Sequence, residues 1–182
     1  MGAGNYAPST RARIADLIMG MHVKTTDAVL VAANFTTGGT DTDLFNIYGR
    51  IGVMQLFIEL TAAADANATQ VAFYTTFTTP VIAQNLMCAK CASIASLGAH
   101  GRITFVGGAV ATNAVITDSA GLTDVEPAGK IHILGGETAA GANTVGVIGM
   151  QASDATQAAT ISATGHLFYI PMSVGAYAEA IV

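Results

Sequence analysis

The chain has 182 residues and a mass of 18.4 kDa; 10% of the residues are charged, 52% are hydrophobic, and the net charge is −5. This length suits one domain, and this composition argues against intrinsic disorder, which goes with low hydrophobicity and high net charge. Seven Lys plus Arg also argue against a nucleic-acid partner, whose phosphates must be met by clustered cations.

Residues 1–24 read differently from all that follows. Gly2, Gly4, Asn5 and Pro8 suggest an extended arm with Tyr6 as an aromatic anchor. Ser9 can cap a helix by accepting from a backbone N–H two or three residues on. Ile14, Leu17, Ile18 and Met21 then follow the i, i+3, i+4, i+7 spacing of one apolar helical stripe, which predicts a helix over 10–21. Residues 25–182 read as a single β domain. Strands are expected over 27–35, 44–60, 69–77, 102–106, 109–118, 130–134, 144–150 and 160–170. Gly49 and Gly52 suggest a bend or bulge in the second. The stretch 80–97 fits either a strand or a short helix. Many short strands at close spacing, punctuated by Gly, Pro, Asp and Asn, indicate a mainly β chain. The fold expected is an antiparallel β-sandwich, jelly-roll-like, with one short N-terminal helix.

No run reaches the roughly 20 apolar residues of a membrane-spanning helix. The best, 51–60, is interrupted by Gln55 and Glu59. The N-terminus lacks the cationic start and apolar run of a secretory signal, so synthesis and folding in the cytosol are expected. Without a secretory route, the glycosylation pattern Asn67-Ala-Thr69 stays unused.

The residues that carry chemistry form no known constellation. Cys88-Ala-Lys-Cys91 is a lone CxxC, and a structural zinc site needs four ligands. His22, His100, His132 and His166 are scattered singly. Two buried or half-buried reduced thiols are the expected reading. Gly107-Gly108 and Gly135-Gly136 lack the spacing that cradles phosphate and read as turns. Asp41 and Asp43, and Asp118, Asp124 and Glu126, do not alternate as a calcium loop requires. There is no GxSxG. The expectation is no catalytic site, no cofactor and no metal.

A monomer of this size normally shows water a surface of mixed charge. A chain so poor in charge is expected to hide surface against copies of itself or a partner, as obligate interfaces do. A ligand-binding sandwich is the other class, resting on Tyr74, Tyr169 and Tyr177, because such sites want exposed aromatics with polar partners.

The C-terminal stretch has Gly165 leading an aromatic strand, Tyr169-Ile-Pro171, a short step, then Gly175-Ala176. It resembles the ending of small structural proteins of tailed bacteriophages. Leu44-Phe-Asn-Ile-Tyr-Gly-Arg-Ile51 is similar to the opening strand of that group. The resemblance spans residues 43–182 and implies a virion component, most like a capsid cement (decoration) protein. It implies a homo-oligomer, a trimer favoured, on the capsid surface, assembled in the host cytoplasm and held to the major capsid protein or other virion subunits. No nucleic acid or membrane partner is implied. Assembly contacts are expected at Tyr6, Pro8, Tyr169, Pro171 and Tyr177. A tail-tube, head-fibre-base or adaptor subunit is the neighbouring alternative.

Overall fold

The computed structural model describes residues 24–35, 41–66, 69–105, 113–117, 131–136, 143–153 and 161–181. The expected helix over 10–21, and Tyr6 and Pro8 in the arm, lie outside the described residues, as do Asp118, Asp124 and Glu126.

The described chain is mainly β, in two antiparallel sheets. The strands are β1 (Lys24–Leu30), β2 (Asp41–Tyr48), β3 (Ile51–Ala62), β4 (Gln70–Thr79), β5 (Val81–Leu86), β6 (Arg102–Thr104), β7 (Val115–Thr117), β8 (His132–Leu134), β9 (Val145–Ser153), β10 (Ser162–Pro171) and β11 (Tyr177–Ala180). A single 3-10 turn, Ala32–Phe35, follows β1. One sheet has six strands in the order β1-β10-β3-β6-β7, with β8 also paired to β3. The other has five, β11-β2-β9-β4-β5.

The period-2 pattern explains how the sheets face each other. Along β10, Ala163, Leu167 and Tyr169 are buried while Ser162, Thr164, His166 and Phe168 lie on the outer face. Along β9, Ile148, Met150 and Ala152 turn inward. Successive side chains of a strand alternate between faces, so each strand contributes every second residue to one core. Bulges break that count at several points, among them one on β2 and one on β3. Leu44 is the extra residue between the pairs Asp43↔Gly149 and Phe45↔Ile148, and so Leu44 and Phe45 are both fully buried. Met54 is the extra residue opposite Phe168 and Tyr169. Phe45 reaches across the sandwich to lie over Gly165 of the opposite sheet. Burying each such Leu, Ile or Phe contributes about 1.5–3 kcal/mol relative to leaving it in water.

The stretch 44–60 is not one bent strand. It is two strands in different sheets, joined by the corner Gly49-Arg50. Gly49 has φ +73°, a region that an L side chain enters at a cost and glycine does not. The stretch 80–97 resolves into β5 followed by irregular chain.

Candidate functional site

One end of the sandwich collects what a globular surface usually covers. It is built from the corner at 49–52, the β4–β5 turn at 77–82, the segment 131–136, the start of β9 at 143–145 and the turn 172–177. These segments touch one another. Ser173, Asn143 and Ala176 crowd Gly49, and Ile131 and Met172 fold over Gly52. Asn143 Nδ2 donates to the Val174 carbonyl at 3.3 Å. Thr144 Oγ1 accepts from the Gly136 N–H at 2.8 Å. Exposed on this end are Val174 (95%), Val81 (87%), Ile82, Ile131, Ile133 and Met172. Here lies an open cavity of about 190 Å³, lined by Phe77, Pro80, Ile82, Gly135, Gly136 and Thr144.

Among the described residues, the charge of this end is one cation. Among the residues of those segments only Arg50 is charged at neutral pH, because burial holds the His132 imidazole below its usual range. The Arg50 backbone is fixed on both sides: its N–H donates to Ser173 Oγ at 3.0 Å, and its carbonyl accepts from the Met172 N–H at 2.8 Å. The guanidinium stands beside Gly136. No carboxylate among the described residues pairs with it.

The outer face of the six-stranded sheet is built on the opposite principle. His166 Nδ1 donates to Asp27 Oδ1 at 2.7 Å, across the pair β1–β10. The His166 ring stacks on Phe57 at 4.7 Å between centroids, and Arg102 lies 5.2 Å above the same ring. Arg102 Nε donates to Glu59 Oε2 at 3.0 Å, and His100 Nδ1 donates to Glu59 Oε1 at 3.3 Å. Burial pushes the Glu59 carboxyl up, but the hydrogen bonds from His100 and Arg102 and the Arg102 charge outweigh it and hold the group below its ordinary range. Every charge in this ladder has its partner in the same chain.

The outer face of the five-stranded sheet carries Asp41, Asp43 and Glu179 and, along its five strands, no Lys, Arg or His. Tyr74 lies flat over Gly149, where a side chain would collide with its ring, and its hydroxyl donates to Asp43 Oδ1 at 2.6 Å. Burial and then that carboxylate push the Tyr74 hydroxyl's pKa up. Tyr177 stacks on Tyr48 at 4.4 Å, and the Tyr48 hydroxyl donates to Glu179 at 3.1 Å.

Three of the contacts expected from sequence fall within the described residues, in different settings. Tyr177 is exposed at the edge of the apolar end. Pro171 closes β10, half-buried beside it, paired with Ile51. Tyr169 is only 3% exposed; its hydroxyl donates to the Ala178 carbonyl at 3.2 Å and accepts from the Ala178 N–H at 3.0 Å. It ties β10 to β11, one sheet to the other, and works from inside the sandwich. Sequence reasoning missed Arg50, Val81 and Val174. The available signal was an apolar side chain where a turn normally carries a polar one, after Pro80 and before Gly175.

The two cysteines are free and buried. Val71 N–H donates to Cys91 Sγ at 3.1 Å and Phe73 N–H donates to Cys88 Sγ at 3.4 Å. The CxxC spacing therefore matches alternate residues of β4, and the sulfurs accept the amides that β5 does not reach. Burial pushes both thiols up, Cys91 to about 11. Among the described residues, no three His, Cys, Asp or Glu side chains stand as a metal site, and no helix is long and apolar enough to cross a membrane.

No protein-family model, curated protein or solved structure matches the chain.

Proposed function

We propose that this chain is a virion structural protein: a jelly-roll capsid cement subunit of a tailed phage that binds the assembled shell as a homo-oligomer, a trimer favoured, and stabilises it. The observation that carries the reading is the uncovered apolar end. Monomers rarely leave large contiguous apolar patches in water, and such patches mark interaction surfaces. The strand order supports the jelly-roll part. β1, β3 and β10 share one sheet while β2, β4 and β9 share the other, so the chain crosses between sheets at successive steps. That alternation belongs to double-sheet rolls, a frequent architecture of capsid domains.

The role needs no pocket chemistry. A protein that binds the assembled shell and not its dissociated subunits stabilises the assembly by RT ln(1 + [L]/Kd), about 2.7 kcal/mol per site at a hundredfold excess over Kd. Contacts made through Val81, Ile133, Met172 and Val174 are apolar, and salt screens charge pairs rather than apolar contacts. The cavity beside Pro80 favours the alternative, a ligand-binding sandwich, but among the described residues its lining brings no charged side chain to orient a ligand.

The test is the melting of particles with and without the protein, at low and at molar salt. The reading predicts a higher melting temperature with the protein present under both conditions. Equal melting temperatures overturn it.

A further inference from the structure

We infer that copies of this chain join through the apolar end, with Arg50 of one copy set against Glu179 of the next. The inference rests on the oligomer proposed above and adds which surfaces join.

Two complementary surfaces are present on one molecule. The apolar end offers exposed aliphatic side chains around one cation, Arg50, whose backbone is pinned by Met172 and Ser173 and for which the described residues offer no carboxylate. The five-stranded sheet offers carboxylates and no cation. Its edge strand, β11, begins at Tyr177, which already belongs to the apolar end, and carries Glu179 two residues on. Among the described residues, the donor to Glu179 is the neutral Tyr48 hydroxyl, which leaves its charge unpaired by any described cation. A second copy therefore supplies what the described residues of this end lack: apolar surface without competing charge, and a carboxylate continuous with that surface. A lipid or nucleic-acid phosphate would meet Glu179 beside the same patch. The contact pairs unlike surfaces, end against edge, so it is head-to-tail. Such contacts close into rings when the rotation permits, and a ring of three is one such closure. The apolar contacts supply the affinity and the charge pair sets the register.

The experiment is light scattering after size exclusion on the full chain, at micromolar concentration and moderate salt. Arg50→Glu and Glu179→Arg each place like charges together and should weaken association by about tenfold or more. The double exchange should restore the oligomer. Val174→Asp should dissociate it as well. Val174 is 95% exposed, so its thermal melt as a single chain checks that the fold survives. Single reversals that leave the mass unchanged overturn the inference, and so does a double exchange that fails to rescue. Val174→Asp chains that keep the wild-type mass and still bind particles overturn the inference and leave the cement reading standing. Wild-type oligomers that respond as stated here but do not raise particle melting do the reverse.

Discussion

The charged outer face of the six-stranded sheet and the apolar end of the sandwich are surfaces of one small molecule, yet they solve opposite problems. On the face, Asp27, His166, Arg102, Glu59 and His100 are paired with one another around the Phe57 ring. That surface is complete in a single chain. At the end, Val81 and Val174 stand in water and Arg50 faces no carboxylate among the described residues. That surface leaves apolar side chains in water in the single chain. Low overall charge does not itself make a protein associate. What matters is where charges are placed: among the described residues, Asp27, Glu59 and Arg102 are paired on one face, and the segments of the apolar end carry one charge, Arg50.

If the comparison is sound, changes on the face should cost stability and spare association, and changes at the end should do the reverse. The largest stability effect is expected at Phe57, which is nearly buried beneath His166, Phe168 and Arg102. Phe57→Ala should cost about 3 kcal/mol, in the range for a large aromatic removed from a packed site, read by urea denaturation with the oligomer mass unchanged. Tyr169→Phe leaves the Ala178 N–H and carbonyl without their hydroxyl, and an unsatisfied buried pair costs about 1–3 kcal/mol. Because Tyr169 joins the sheets next to Tyr177, this variant should lose stability and, more weakly, association.

A smaller effect belongs to Glu59. Its folded carboxyl titrates below the ordinary 4.5, so the native state binds fewer protons there than the unfolded chain does. The stabilisation is complete above the unfolded carboxylate range and is lost as pH falls through the folded value. Glu59→Gln should remove that part of the acid sensitivity, at a cost of about 0.5 kcal/mol at neutral pH for a part-exposed pair. A flat difference between variant and wild type from pH 7 to pH 3 contradicts the pairing. The smallest effect is chemical. With their thiols buried and shifted upward, Cys88 and Cys91 should resist alkylation in the native protein at pH 8, and both should react in denaturant. Rapid native labelling contradicts their place against β4.

Much of this architecture was legible because alternation is a local property. Residues 160–170 read as a strand, and the structure has that strand as Ser162–Pro171. The corner at Gly49 was seen as a bend, but its consequence was not: whether a chain continues in its sheet or crosses to the other depends on partners far away. β11 escaped notice because Tyr-Ala-Glu-Ala has little β propensity, and its pairing with β2 holds it extended. The ladder on the face was hidden for the same reason as the corner. Asp27 and His166 are 139 residues apart, and a shift of one residue in either register would have turned them to opposite faces. The apolar end is scattered over five segments, each unremarkable by itself, and only the fold gathers them.

The central claim is that the uncovered end is a site of assembly, and the mass of the wild-type chain in solution tests it most directly. Light scattering on the full chain at micromolar concentration should give a stable multiple of 18.4 kDa, threefold by this account, unchanged on going to molar salt. A mass of one chain across that range would contradict it.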